Sequence, residues 1–150
     1  MKNKIIALAC ASVFMVACDN GSDSQDVTMH SAPGTAGDFK ANIRDRVGFH
    51  FNQSNVSADA KKVLEKQADW LKSYSATKAT VEGHCDARGT REYNLALGNK
   101  RAEAAKSELV KLGVAADRLK TISYGKDRLQ VPGDTASAHA QNRVAVTVVE

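Results

Sequence analysis

The side chains best suited to chemistry crowd into one stretch, Glu82-Gly83-His84-Cys85-Asp86-Ala87-Arg88-Gly89-Thr90-Arg91-Glu92-Tyr93-Asn94. It runs off the end of an alternating, strand-like segment into the start of a helix, a place where sites are commonly built. An ionised Asp accepts hydrogen bonds from an ammonium, an Arg grips a carboxylate with two parallel ones, and an Asn both donates and accepts. Asn94 and Arg101 stand seven residues apart, close to two helical turns, so they share one face of the helix that follows. With Asp86 at the strand exit, the three would suit the zwitterionic head group of an amino acid. The same Asp and Arg could instead form an ordinary structural salt bridge, and spacing leaves both readings open.

His84, Cys85 and Asp86 also raise the possibility of a metal site or a thiol nucleophile. Consecutive side chains in an extended segment point to opposite faces, so Cys85 does not easily join His84 and Asp86 on one ion. His30, His50 and His139 show no ligand spacing of the HExxH kind, and no Ser or Cys nucleophile with a placed base is legible. The expectation is a binding protein without catalytic residues, metal or cofactor, in which Cys85 is a buried apolar thiol.

The elements that must position these residues follow from periodicity. Arg46 to Phe51 reads as a first strand. Ser57 is placed to cap a helix in which Ala60, Val63, Leu64, Ala68, Leu71 and Tyr74 recur at helical spacing, with Trp70 and Tyr74 as packing residues. Lys78 to His84 alternates as a second strand, and Thr90 is placed to cap a second helix whose apolar face is Leu95, Ala102, Ala105, Leu109 and Leu112, ended by Gly113. Leu119–Tyr124 and Arg143–Val149 are further strand candidates. The order β-α-β-α-β-β predicts an α+β fold, a two-layer sandwich with both helices on one face of a mixed sheet.

At 150 residues, 43% hydrophobic and 25% charged, with 2 Pro, the chain has room for one globular domain and a tail. Collagen-like and largely disordered chains are excluded. Ile5–Ala17 is too short for the roughly 20 residues of a spanning helix. It follows Lys2 and Lys4 and ends in Met15-Val16-Ala17-Cys18, the pattern of a signal peptide over residues 1–17. Residues 19–38 hold Asp19, Asp23, Asp26 and Asp38 without Lys or Arg, whereas from Phe39 onward 19 basic residues face 13 acidic ones. Residues 18–39 are therefore expected to form a solvated tether and 40–150 a basic domain. A flexible stretch of that length reaches roughly 25 Å on average and about 70 Å at full extension. A basic domain favours an anionic partner or simply a solvated Lys-rich surface, and export removes chromosomal nucleic acid from the candidates.

Two resemblances sharpen this. Met15-Val16-Ala17-Cys18 resembles the lipobox of bacterial lipoproteins, which implies that Cys18 becomes the acylated first residue, several acyl chains holding firmly where one would hold only marginally. Cys85 would then be the one thiol left in the mature chain. Val81 to Gly98, then Arg101-Ala102-Glu103-Ala104, Leu112-Gly113-Val114, Ser123-Tyr124-Gly125-Lys126 and Asn142-Arg143 resemble the peptidoglycan-associated lipoproteins of the OmpA-like family. The resemblance covers most of residues 45–150.

It implies a non-covalent grip on the diaminopimelate of the peptidoglycan stem peptide, Asp86 meeting its ammonium and Arg101 its carboxylate, with Asn94 in the same pocket. Phe49, Phe51, Asn52 and Arg143 would flank it. Two departures bear on the rim: His50 stands where the family usually has Asp, and Val144 where a second Arg is common. The family further implies an outer-membrane location with the domain in the periplasm, β-propeller-type partners of the periplasmic Tol system, and a part in envelope integrity and division. Asp19, directly after Cys18, resembles an inner-membrane retention signal. The alternatives are a wall-anchoring lipoprotein outside the Tol system, or relatives attached to a barrel or a motor stator, from which the lipobox separates this chain.

Overall fold

The computed structural model describes residues 31–150. The expected signal peptide over 1–17, Cys18 and most of the tether lie outside the described residues.

Four strands form one mixed sheet in the order β1-β4-β2-β3: β1 (Arg46–Gly48), β2 (Ala79–His84), β3 (Leu119–Gly125) and β4 (Val144–Val149). β2 runs parallel to β3 and antiparallel to β4, which in turn pairs antiparallel with β1. The central strands β2 and β4 are thus braced on both edges, and Val81, Ala145 and Val149 contribute to the core.

Two long helices cover one face. α2 (Ala58–Ser73) begins where the Ser57 hydroxyl accepts from Ala60 N, and it buries Ala60, Leu64, Ala68 and Leu71, a stripe at spacings of three and four. Gln67, on the same stripe, is buried yet satisfied: it donates to Arg44 O at 2.7 Å and accepts from Thr147 Oγ1 at 2.7 Å. α3 (Arg91–Lys111) starts at the Thr90 cap and buries Ala102, Ala105 and Leu109. It lies close against β2 because two glycines meet there. A Cβ on Gly83 would fall 1.9 Å from the Gly98 carbonyl oxygen, so any side chain at 83 would force the layers apart.

Caps, helices and strands therefore stand where periodicity placed them, with three differences. β1 stops at Gly48 instead of Phe51, because the chain leaves β4 after Phe49 N has bonded Arg143 O. A short helix α4 (Ala136–Asn142), capped by Thr135, precedes β4. A second short helix, α1 (Ala36–Asn42), sits where the tether was expected.

The tether boundary at residue 39 is thus corrected: the folded part begins by the Thr35 cap. Phe39 is buried and meets Trp70 edge-on with ring centroids 4.9 Å apart. One Asp38 carboxylate oxygen accepts from Gly34 N at 3.0 Å and from Trp70 Nε1 at 3.1 Å, and the Gly34 bond leads in holding the Asp38 carboxyl below its usual range. A single buried aromatic in a polar, Gly-containing stretch carries no periodicity, and so the helix was not legible. Phe39→Ala is expected to lower the unfolding free energy by about 3 kcal/mol, the usual cost of emptying an aromatic site. Urea denaturation of the two proteins measures it.

Candidate binding site

The sheet delivers β2 to the site, and a locked turn carries the chain from there to α3. Cys85 N still bonds Gly125 O at 2.8 Å, after which the backbone leaves the sheet. Asp86 Oδ1 accepts from Arg88 N at 3.2 Å, an Asx-type turn, and Gly89 takes φ +86°, which a glycine adopts without strain. The Asn94 side-chain NH2 donates to Arg88 O at 2.7 Å and Thr90 O at 2.9 Å, and Lys126 Nζ donates to Gly89 O at 2.6 Å. Asn94 therefore has both donors committed to the turn and only its oxygen to offer a ligand.

Two turns along α3, Arg101 is 1% exposed. Its guanidinium donates to Gln53 O (2.9 Å), His84 O (2.9 Å) and His50 O (3.2 Å), and lies over the Phe49 ring at 5.3 Å. Among the described residues it has no carboxylate within ion-pair distance. Burial pushes its pKa down, but an Arg remains charged throughout the physiological range. A buried cation held only by neutral groups, here backbone carbonyls, the Cys85 sulfur and the Phe49 ring, favours any anion that can enter beside it.

Asp86 is the opposite case. It is 4% exposed and its ion-pair partners are Arg88, at 2.7 Å, and Arg143, at 3.3 Å. Burial pushes its carboxyl upward, but hydrogen bonds from the Arg88 side chain and backbone and from Arg143 outweigh this and hold it below the usual carboxylate range. The structural salt bridge between Asp86 and Arg101 that spacing left open does not form.

Asp86, Asn94 and Arg101 line one cavity of about 340 Å3, together with Phe51, Asn52 and Arg143. Phe51 is 60% exposed, and Asn52, at φ +57°, accepts a hydrogen bond from the Tyr93 hydroxyl across the mouth. Phe49 is corrected: it is buried in the core and lies outside this cavity. It acts from below, its ring under Arg101 and its carbonyl accepting from Arg143 Nε at 3.1 Å. The two departures also take definite places. His50 is exposed and lines a neighbouring groove, contributing only its carbonyl to Arg101. Val144 is buried on β4 opposite Gly48, away from the cavity.

Arg88, Tyr93, Cys85, Gly89 and Leu97 complete the lining. Arg88 was missed as a site residue, although an Arg two positions after an Asp at a turn is within reach of it. Arg101 Nη1 donates to the His84 carbonyl and to Cys85 Sγ (3.4 Å), but among the described residues the His84 and Cys85 side chains share no hydrogen-bond partner. The Cys85 thiol donates to Asn94 O at 3.3 Å, and burial holds its pKa above the ordinary thiol value despite nearby Arg101, so it is a neutral apolar filler rather than a nucleophile. His84 Nδ1 instead meets Arg128 O at 3.0 Å. No three His, Cys, Asp or Glu side chains gather as metal ligands among the described residues.

Comparison with known proteins identifies the family and the fold. The OmpA family model matches residues 48–143. A peptidoglycan-associated lipoprotein of Mesorhizobium japonicum is 53% identical over 119 residues, 79% of this chain and 71% of its own length. One from Haemophilus influenzae is 35% identical over 147 residues, 95% of each chain. The crystal structure of the peptidoglycan-associated lipoprotein of Burkholderia pseudomallei superimposes with a TM-score of 0.69 at 37% identity, covering 71% of this chain and 91% of that one. The C-terminal domain of Helicobacter pylori MotB, at TM-score 0.67 and 19% identity over 71% of this chain and 84% of its own, shares the fold.

The lowered Asp86 pKa sets a pH window for stability. An unfolded Asp titrates near 3.9, so the stabilisation is complete above about pH 4 and disappears as pH falls through the lower folded value. Asp86→Asn, which has no such charge, is expected to show a smaller loss of urea midpoint between about pH 5 and pH 2 than the parent. Equal slopes would show that Asp86 is not stabilised in its charged form.

Proposed function

The chain belongs to the OmpA family, and on that premise we propose that it is a lipid-anchored protein that holds the peptidoglycan layer without covalent bonds. The family is not one of enzymes, and the site needs no cofactor for this work. The observation that carries the proposal is the buried Arg101 guanidinium, which lacks a carboxylate partner among the described residues and shares a cavity with an ionised Asp86. A diaminopimelate unit has both complements, a carboxylate for Arg101 and an ammonium for Asp86. The names of the relatives, peptidoglycan-associated lipoproteins, support the same ligand.

Cys18 would carry the lipid. The lipobox-like Met15-Val16-Ala17-Cys18 supports this reading. With the acylated cysteine in the outer membrane and the domain in the periplasm, the chain would act as a passive mechanical link. Lipid sits in one layer, a polar leash follows, and charge-assisted hydrogen bonds hold the other layer. In this reading it serves the Tol system beside a β-propeller-type periplasmic partner, in envelope integrity and in drawing the outer membrane inward at division.

The test is sedimentation of the full chain, purified in detergent, with diaminopimelate-type peptidoglycan, beside Asp86→Asn and Arg101→Lys. Both changes keep shape and fold better than truncation to Ala, because Arg101 also ties down three backbone carbonyls. The parent is expected to sediment with the wall, and each variant, folded by circular dichroism, to lose on the order of 2 kcal/mol or more of binding free energy. Undiminished sedimentation of both variants would move the grip to the basic surface and out of this pocket.

A further inference from the structure

Asp86 has no acceptor position left for an incoming ammonium. A carboxylate offers about four lone-pair sites, and here all four are taken: Oδ1 accepts from Arg88 N at 3.2 Å and Arg88 Nε at 3.3 Å, Oδ2 from Arg88 Nη2 at 2.7 Å and Arg143 Nη1 at 3.3 Å. A ligand cation can reach Asp86 only if one of these donors leaves. The backbone donor is fixed by the turn. Arg143 is 17% exposed and tied by Nε to Phe49 O at 3.1 Å. The Arg88 side chain is 45% exposed, its guanidinium hydrogen bonds go to Asp86 alone, and its outer side rests on the exposed Phe51 ring at 4.2 Å.

We propose that Arg88 is the pocket's internal cation, occupying on Asp86 the place of the ligand ammonium, so that ligand binding is an exchange of one cation for another. The inference rests on the amino-acid-binding reading of the pocket given above. On release, the Arg88 guanidinium needs to move only outward over Phe51, a ring that can keep it by a cation–π contact while the Asx turn stays closed. Arg88 thereby sets selectivity. A neutral group at the ammonium position cannot replace a bidentate guanidinium, whereas a primary ammonium that also brings a carboxylate to Arg101 can.

The test is calorimetric titration of the full chain in detergent with a synthetic stem tripeptide ending in meso-diaminopimelate, using Arg88→Gln, Arg88→Lys, Asp86→Asn and the Arg88→Gln/Asp86→Asn pair. Removal of a half-exposed competing ion pair is expected to tighten binding by about two- to fivefold in Arg88→Gln. Arg88→Lys, still a cation, should stay near the parent, and in the Asp86→Asn background Arg88→Gln should bring no gain. A role for Arg88 that is only structural would weaken binding instead. Parent binding that falls in Asp86→Asn, with an Arg88→Gln affinity equal to or weaker than the parent's, would overturn the exchange and leave the pocket assignment standing. A folded parent that does not bind the tripeptide, or an Asp86→Asn variant that binds as well as the parent, would overturn both.

Discussion

One buried guanidinium joins the fold to the site. Arg101 projects from α3 beneath the loop that follows β1, and its donors reach carbonyls at His50, Gln53 and His84. Those carbonyls belong to two segments far apart in sequence, and α3 supplies the third. Placing a charge in the interior is costly unless dipoles surround it, and here the peptide carbonyls of the surrounding backbone provide them. The arrangement requires α3 to lie close to β2, which the facing glycines Gly83 and Gly98 permit. Without that close approach Arg101 Nη1 would lose its 2.9 Å bond to His84 O at the end of β2.

The pocket is electrostatically lopsided as a result. Its anion, Asp86, is saturated by Arg88 and Arg143, while its deepest cation has carbonyls but no carboxylate among the described residues. An incoming carboxylate would therefore meet a prepared partner, whereas an incoming ammonium would meet an occupied one. Such an arrangement keeps Asp86 charged and the turn rigid in the absence of ligand, because the internal partners outweigh the burial that opposes ionisation. Two aromatic rings work in the same direction: Phe51 at the rim supports Arg88 from outside, and Phe49 in the core supports Arg101 from beneath.

The N-terminal edge of the domain has its own logic. α1 is too short to be stable alone, and it persists because Phe39 enters a cluster with Trp70 while Asp38 bonds the Trp70 indole and the Gly34 amide. Where the chain serves as a link under load, as proposed, force arriving along the leash would meet this small cluster before the sheet. Among the described residues the first element is α1, held by the Phe39–Trp70 contact and the Asp38 carboxylate.

Much of this was written locally. Ser57 and Thr90 mark their helices because a side-chain oxygen must satisfy the first free amides, the apolar stripes of α2 and α3 follow from helical period, and β4 declares itself through its valines. The grouping of Asp86, Asn94 and Arg101 was legible as well, since a strand exit and a two-turn helical spacing are local geometry. What sequence could not decide was who pairs with whom. Whether Asp86 meets Arg101 or Arg88 and Arg143, whether Phe49 lines the pocket or props it from the core, and whether Phe39 belongs to leash or fold all depend on contacts between residues distant along the chain. Those contacts are fixed by how the layers pack, and packing is a property of the whole folded chain, which no local pattern encodes.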